Sequence, residues 1–553
     1  MFVLASIGIA TVLLKYAHAS LMDAMFHYTQ VILTRYATPL SSSVAYPTPF
    51  ARPFSEVSSL LPLNATYTAY TLELNGGIGN GEYGSDAYAG LWANLLYTSS
   101  PPFTSTRAAV PVASCELIFP PPMYYTVARE HSGKLPSDFV WGVSASAWQI
   151  EGALQHDGWG PSVMDVTGAV QSANNRSDAN VAAMHYFVYK EGIARLAAIG
   201  VPYLSISISW TRIVPFGTAD SPINTKGLDH YDDVINTCLE HGITPITTLN
   251  HFDFPLGQMD DFSTLPENFL YYAKHVITRF ADRVPYWFTF NEPNIATLNL
   301  VDDWNDLITI QEAHAAVYHW YKDELGDGHN ESHVHATARY QEFVLGIMGN
   351  PLFLGQQIPS SVLETDTLGL PPYRHRKLPA STVRWAFGPL THMLLSSQRL
   401  LSKGLTRVPK IHVTPTGHSA ECVLRTRTTI RAPATEIRVG YFSSVRHNGM
   451  VTEFGFNPFR EGERSEDAQR YDLEGTLYYK GFLGEVFKAI HEDGVDVIGA
   501  LAWSIMVNNE FGSYEEQYGL QTVNRSDGTF RGRFKRSIFD FVDFFHCRVE
   551  VEG

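Results

Sequence analysis

The sequence predicts an α/β fold, and within that class a (β/α)8 barrel, from three observations. From residue 133 onward, short runs rich in β-branched and aromatic residues alternate with longer segments whose apolar positions recur every three or four residues. This alternation is typical of strand–helix units around a parallel sheet. No glycine-rich phosphate-binding loop follows any predicted strand, which favours a closed barrel over an open doubly wound sheet. Polar residues also gather at the C-terminal ends of the predicted strands, where barrels of this type place their active sites.

The units can be followed in chain order. The first four are strand 139–144, helix 180–199, strand 203–210, helix 227–241, strand 244–249, helix 267–280, strand 286–291 and helix 311–325. Near the end of the chain, helix 475–492 leads into strand 496–504. The pattern fails between residues 326 and 410, where the fifth and sixth units should lie. Segments 341–345 and 383–387 are the only strand candidates there, and both are weak.

Composition divides the chain into three parts. Residues 1–19 combine an apolar run with the small-x-small sequence Ala17-His18-Ala19, which predicts a signal peptide and a secreted protein. An ordinary apolar N-terminal segment is the alternative, because no basic residue precedes the run. Residues 20–132 are rich in Pro, Ser, Thr, Tyr and Gly and predict an irregular extension, or else a small β module. Residues 133–548 form the predicted barrel.

Charge, the length of apolar runs and cysteine spacing argue against a nucleic-acid partner, a membrane span and a metal site. The net charge of −16 comes without a basic cluster, so we expect no nucleic-acid partner. The N-terminal apolar run is too short to cross a bilayer comfortably, and no stable membrane span is expected. The four cysteines lie far apart without metal-ligand spacing, which predicts buried or free thiols and no metal site.

Polar residues follow four predicted strands at their C-terminal ends. The segments that carry them are 148–152 after the first strand, 250–253 after the third, Asn291 and Glu292 after the fourth, and 503–511, which includes the end of the eighth. The C-terminal ends of barrel strands share one rim, so we expect these side chains to lie close together. Glu292 is the most informative, because it places a carboxyl group where an apolar strand ends. Glycoside chemistry needs two carboxyls, one to protonate the departing oxygen and one to attack or to activate water.

Six motifs, in chain order, carry a resemblance to a known family. They are Phe-Val-Trp-Gly through Gln-Ile-Glu-Gly (139–152), Asp-Gly-Trp-Gly-Pro-Ser (157–162), Ser-Ile-Ser-Trp (207–210), His-Phe-Asp (251–253), Thr-Phe-Asn-Glu-Pro (289–293), and Ala-Trp-Ser (502–504) with Asn508 and Glu510. With these motifs, the region from about 135 to 545 resembles glycoside hydrolase family 1, the β-glucosidase type of retaining (β/α)8 enzyme.

The resemblance implies a function and a role for each candidate residue. It implies a retaining β-glycosidase that hydrolyses terminal β-glucosides by double displacement, acts on a small-molecule or oligosaccharide β-glucoside, and needs no metal or organic cofactor. Glu292 would be the general acid/base and Trp503 would stack beneath the sugar ring. The residues expected to hydrogen-bond the sugar hydroxyls are Gln149, His251, Asn291 and Glu510.

The second carboxyl has two candidate positions. Family members carry the nucleophile on strand seven, in a motif that resembles Ile/Val-Thr-Glu-Asn-Gly. The first apparent match has Pro415 where the Glu should stand, and a proline cannot attack an anomeric carbon. The second match, 451–455, supplies Glu453, which lies 50 residues before Trp503, a spacing similar to that in the family. Glu453 is therefore the predicted nucleophile.

Joining Thr414 directly to Glu453 restores one continuous motif, which predicts that residues 415–452 are an insertion. The insertion would be either a true loop within strand seven or an unspliced or wrongly assembled segment of the translated sequence. In the predicted mechanism, Glu453 attacks the anomeric carbon while Glu292 protonates the departing oxygen and later activates water.

Several departures from the family pattern favour a second hypothesis, a catalytically impaired sugar-binding pseudoenzyme of the same fold. Ser205 stands where the family carries an Arg beside the nucleophile. The family's Tyr contact to the nucleophile has no counterpart, and the nearest sequence is Thr-His-Met at 391–393. The interruption of strand seven is the third such departure. Val507, Asn509 and Phe511, in place of the usual Asp, Phe and Trp, bear instead on specificity, because they would alter contacts to O4 and O6 of the sugar. The loss of a nearby cation would raise the pKa of Glu453.

Overall fold

The computed structural model describes residues 49–70, 81–95, 97, 99–117, 133–173, 177–293, 305–325, 449–492, 494–495, 497–510 and 512–550. The predicted signal peptide 1–19 and the strand candidates 341–345 and 383–387 lie outside these residues. Most of the predicted insertion 415–452 also lies outside them, and its last four residues belong to a strand. The insertion stays a prediction.

Six parallel strands form one sheet. They are β1 (Val140–Ala145), β2 (Tyr203–Ser207), β3 (Thr244–Asn250), β4 (Tyr286–Phe290), β5 (Gly449–Phe454) and β6 (Val497–Trp503). The order across the sheet is β4-β3-β2-β1-β6-β5. The first strand of the domain thus lies beside the last, which is the pairing that closes a barrel. Strands β5 and β6 are the predicted seventh and eighth strands.

Helices follow the strands and cover the outside of the sheet. The longer ones are α1 (Val163–Ala173), α2 (His185–Ala198), α3 (Thr225–Glu240), α4 (Leu265–Phe280), α5 (Asn305–Trp320), α6 (Leu473–His491) and α7 (Arg536–Arg548). Helix α3 begins after Asn224, whose side chain accepts a hydrogen bond from the Lys226 amide at 3.3 Å. Helix α2 begins five residues later than predicted, because Met184 adopts a left-handed φ of 52° that interrupts the helix.

Short elements complete the fold. The short helices are Phe54–Val57, Ser85–Leu91, Ala147–Ile150, Trp210–Ile213 and Glu466–Tyr471. Tyr67–Thr68 in the extension pairs in parallel with Ile223–Asn224, and Gln521–Val523 pairs in antiparallel with Gly532–Phe534. Among the helices that the structure describes, none combines the length and apolar composition that a membrane crossing requires.

The thiols agree with the sequence prediction. Cys115 and Cys547 are exposed, Cys238 is buried, and all three are free. Cys422 lies outside the described residues.

The described part of the N-terminal extension packs into the barrel core. Tyr88 and Trp92 are almost completely buried, and both donate hydrogen bonds to the carbonyl oxygen of Trp159, at 2.8 and 2.9 Å. Tyr70 stacks on Tyr88 with ring centroids 5.1 Å apart. These side chains belong to the same hydrophobic cluster as Trp159 and Trp210 of the barrel. Their burial therefore stabilises the barrel as well as the extension.

Truncation of Trp92 tests this packing. We expect Trp92→Ala to lower the free energy of unfolding by about 3–5 kcal/mol, because it removes a buried ring and a buried hydrogen bond. The matched control is Leu63→Ala in the same extension, since Leu63 is fully exposed and its loss should change stability by less than about 0.5 kcal/mol. Urea denaturation measures both. Equal, small losses would mean that the extension is only loosely attached.

Candidate active site

The structure brings all seven predicted site residues to one rim of the sheet. Gln149 lies in the short helix after β1, His251 directly after β3, Asn291 and Glu292 after β4, Glu453 within β5, Trp503 at the end of β6, and Glu510 in the segment that follows. The C-terminal ends of the parallel strands position them, as the fold class predicts.

His251 lies at the centre of the site and contacts three of the other residues. Its ring stacks on Trp503 with centroids 5.3 Å apart and an interplanar angle of 8°. The Asn291 amide nitrogen lies 3.2 Å from His251 Nε2, and Glu453 Oε1 lies 3.6 Å from His251 Nδ1. Burial lowers the pKa of His251 to about 3, so the imidazole is neutral at physiological pH. Its approach to Glu453 is therefore a polar contact without an ion pair.

The tautomer of His251 follows from the Asn291 contact. An amide nitrogen donates hydrogen bonds, so Nε2 accepts and the single ring proton lies on Nδ1. That proton faces the Glu453 carboxyl. A ligand oxygen placed between the two residues would find one donor and one acceptor.

Glu453 shares its surroundings with two other carboxyl groups. Burial raises its pKa well above the ordinary range, and the nearby Glu292 and Glu510 carboxyls raise it further, while a hydrogen bond from Asn291 lowers it. Ser205, at the position where the resemblance expects an Arg, is buried in β2 and brings no positive charge. The protonated acid is thus favoured more strongly at Glu453 than at an ordinary glutamate.

Glu510 and Gln149 are neighbours in the site. Burial raises the pKa of Glu510 to about 7, and a hydrogen bond from Trp503 together with the nearby Gln149 amide opposes this rise. Trp503 Nε1 lies 3.4 Å from Glu510 Oε2. Gln149 is 2% exposed, and its Oε1 accepts a hydrogen bond from Ser146 Oγ. Its Nε2 lies near Glu510 but has no partner of good geometry among the described residues, so this donor is available to a ligand.

Glu292 lies at a sharp turn of the backbone. The Asn291 amide still donates to the Asn250 carbonyl at 2.9 Å, which continues the hydrogen-bond pattern of the sheet. Glu292 then adopts a φ of 40°, in the left-handed region that is uncommon for residues other than glycine. The turn ends the strand and leaves the Glu292 residue exposed at the rim, close enough to influence Glu453.

Tyr518 is a site residue that sequence reasoning missed. Burial raises the pKa of its phenol, and the Glu510, Glu516 and Glu292 carboxyls lie near enough to raise it further. No strand end or helical period marks Tyr518. The only local signal is Gly519, where a Cβ atom would lie 1.9 Å from the Val507 amide nitrogen, so this segment packs directly against the one that follows β6.

The chemistry of the site suits an uncharged ligand with many hydroxyl groups. Carboxyl groups, a neutral imidazole and side-chain amides offer hydrogen-bond donors and acceptors, while the Trp503 ring offers an apolar face. Within the part of the chain that the structure describes, no group of three or more His, Cys, Asp or Glu side chains is arranged so that it could hold a metal ion.

Known proteins share the sequence pattern along most of the chain. The model described as Glycosyl hydrolase family 1 matches residues 131–301 and 438–548, together just over half of the chain. The chain is 28% identical over 484 residues to beta-glucosidase 42 of Arabidopsis thaliana, with 76% of this chain and 96% of that protein covered. It is 26% identical over 450 residues to beta-glucosidase 1B of Phanerodontia chrysosporium, with 71% and 82% covered.

Solved structures share the fold. The beta-glucosidase of Trichoderma harzianum superposes with a TM-score of 0.55 at 24% identity, over 77% of this chain and 100% of that chain. The family 1 enzyme of Thermotoga maritima gives a TM-score of 0.51 at 22% identity, over 76% and 100%. Together with the strand order, these matches confirm the predicted (β/α)8 barrel.

The raised pKa of Glu510 predicts how stability depends on pH. The folded protein holds this proton to a pH of about 7, whereas an ordinary glutamate releases it near 4.5. Ionisation of Glu510 therefore destabilises the fold as the pH rises between these values. We expect Glu510→Gln to stabilise the protein by about 2 kcal/mol at pH 8 and to have almost no effect at pH 4.5. Urea denaturation at both pH values measures this.

The matched control for Glu510→Gln is Glu515→Gln, the same change at an exposed residue of the same segment. It should leave the pH dependence of stability as in the wild type. If Glu510→Gln raised the free energy of unfolding equally at both pH values, the raised pKa of Glu510 would be contradicted.

Proposed function

The chain belongs to glycosyl hydrolase family 1, and on this premise we propose that it is a retaining β-glycosidase that hydrolyses terminal β-glucosides. Glu453 is the proposed nucleophile and Glu292 the proposed general acid/base. The observation that carries the proposal is that both residues lie at one strand-end rim, near enough for the Glu292 carboxyl to raise the pKa of Glu453. Double displacement requires two carboxyls in one site.

In the first step, a Glu453 oxygen attacks the anomeric carbon and forms a covalent bond to the sugar. The bond to the departing oxygen breaks, and Glu292 gives that oxygen its proton. In the second step, Glu292 takes a proton from water, the water oxygen attacks the anomeric carbon, and Glu453 leaves as a carboxylate.

Binding of the sugar is assigned to the remaining side chains. Gln149 Nε2 has no protein partner of good geometry among the described residues, so it can donate to a sugar hydroxyl, and Glu510 can accept from a neighbouring one. The neutral His251 donates from Nδ1. Trp503, fixed by its stack on His251, offers its ring to the C–H face of the sugar.

One observation favours the alternative of a sugar-binding pseudoenzyme. A nucleophile must be ionised, yet burial and two carboxyls raise the pKa of Glu453, and Ser205 supplies no charge to oppose them. A protein that retains the hydrogen-bonding residues and keeps Glu453 protonated would bind glucose without turnover.

Hydrolysis of two β-glucosides with different leaving groups distinguishes the two functions. We expect Glu292→Gln to lower kcat/KM for phenyl β-glucoside by about 10²- to 10⁴-fold, because this leaving group needs a proton. For 2,4-dinitrophenyl β-glucoside the loss should be much smaller, since the leaving anion is stable. Glu453→Gln should abolish turnover of both substrates, because neither reaction can proceed without the nucleophile.

The exposed Glu515→Gln serves as the control and should match the wild type. Equal rates for all variants would reject the assignment of both carboxyls. Binding of glucose by a wild-type protein that hydrolyses neither substrate would identify the pseudoenzyme.

We also propose that the protein is secreted after removal of residues 1–19. Support comes from the apolar run and the Ala17-His18-Ala19 sequence. N-terminal sequencing of protein recovered from the culture medium of an expressing host should begin at Ser20. A protein that stays inside the cell with residues 1–19 still attached would contradict this proposal.

A further inference from the structure

We propose that Tyr97, in the N-terminal extension, is a positioning residue for Gln149. The proposal rests on the proposed function, in which Gln149 donates a hydrogen bond to the sugar. Tyr97 does not contact the site itself. It acts through two buried side chains, Asp165 and Trp148, the second of which directly precedes Gln149 in the chain.

The Asp165 carboxyl joins the extension to the barrel. It is fully buried, and its Oδ1 accepts hydrogen bonds from Tyr97 Oη at 2.9 Å and from Trp148 Nε1 at 3.0 Å. Its Oδ2 accepts from the amide and the hydroxyl of Ser162, at 2.6 and 2.8 Å. Two of the three residues that hold this carboxyl belong to the barrel, and the third is Tyr97.

Close packing transmits the position of Asp165 to Gln149. Trp148 is 1% exposed and lies with Gln149 in the four-residue helix Ala147–Ile150. A Cβ atom on Gly168 of α1 would lie 2.9 Å from Tyr97 Oη and 3.1 Å from Trp148 Cζ2. Helix α1 therefore contacts both side chains without spare room. A change in the hydrogen bonds of Asp165 must be accommodated by Trp148, and hence by the helix that carries Gln149.

The same stretch of the extension is also linked, through Asp178, to the segment that follows Glu510. The Ser99 amide donates to Asp178 Oδ2 at 2.9 Å, and the Asp178 carbonyl accepts from Tyr514 Oη at 2.6 Å. Tyr514 lies four residues after Glu510. Asp178 thus links the extension to the segment that follows Glu510.

Tyr97→Phe tests the proposal, because it removes only the hydroxyl. We expect kcat/KM for phenyl β-glucoside to fall about three- to tenfold, the effect of one lost hydrogen bond on a buried carboxyl. Glucose binding, measured by tryptophan fluorescence, should weaken by the same factor. The matched control is Tyr67→Phe, whose hydroxyl lies 3.3 Å from His275 Nδ1 on α4. It should change neither quantity by more than about 1.5-fold.

A double-mutant cycle separates positioning from a general loss of stability. In a Gln149→Ala background, Tyr97→Phe should have no further effect on kcat/KM, because the residue through which it acts is gone. An equal loss in both backgrounds would overturn the proposal. Trp148→Phe, which keeps an aromatic ring but loses the Nε1 donor and some buried volume, is the second variant and should lower kcat/KM at least as much as Tyr97→Phe.

Hydrogen exchange keeps the test independent of activity. The Ile150 and Glu151 amides donate within the turn that carries Gln149, at 3.2 and 2.9 Å. Their exchange should be faster in Tyr97→Phe and unchanged in Tyr67→Phe. If the wild type neither hydrolyses β-glucosides nor binds glucose, the proposed function fails. Hydrogen exchange of the Ile150 and Glu151 amides then remains as the test of whether Tyr97 positions Gln149. Unchanged exchange in both variants would overturn it.

Discussion

The pairing of β1 with β6 is the constraint on which the rest of the structure depends. It places Ser144 opposite Trp503, and Ser144 Oγ donates to the Ala502 carbonyl, 358 positions away in the chain. This contact brings the loop after the first strand against the loop after the last. The Asn509 amide then donates to the Gln149 carbonyl at 2.9 Å, which fixes Gln149 beside Glu510. Gln149 and Glu510 are neighbours only because the sheet returns on itself.

Burial favours the uncharged form of three titratable side chains in the site. It raises the pKa of Glu453 and of Glu510 and lowers that of His251, so the uncharged form of all three groups is favoured. Uncharged donors and acceptors in a dry pocket make strong hydrogen bonds to a neutral sugar. The same burial opposes the ionisation that nucleophilic attack by Glu453 requires. Burial of these side chains therefore favours sugar binding but opposes turnover.

The sequence predicted those features that have a local physical cause. Strand 244–249 and helix 267–280 were found within two residues of their observed bounds, because a buried strand and an amphipathic helix have periods that a short window reveals. Glu453 was found from a motif, and the structure places it in a strand of the sheet. Tyr518 was missed because its position depends on long-range packing at Gly519. The burial of Trp92 was missed for the same reason, since its partner Trp159 is distant in sequence.

The extension satisfies polar groups that the barrel leaves buried. The Trp159 carbonyl accepts from Tyr88 and Trp92, and the Asp165 carboxyl accepts from Tyr97. A buried acceptor that loses its donor costs about 1–3 kcal/mol, comparable to a large fraction of the net stability of a domain. These acceptors lie in the segment that follows β1, which also carries Gln149. Loss of their donors would therefore destabilise the part of the barrel that holds a residue proposed to bind the sugar. The extension and the site are thus coupled energetically, and a barrel defined by the family boundaries alone would omit part of its own core.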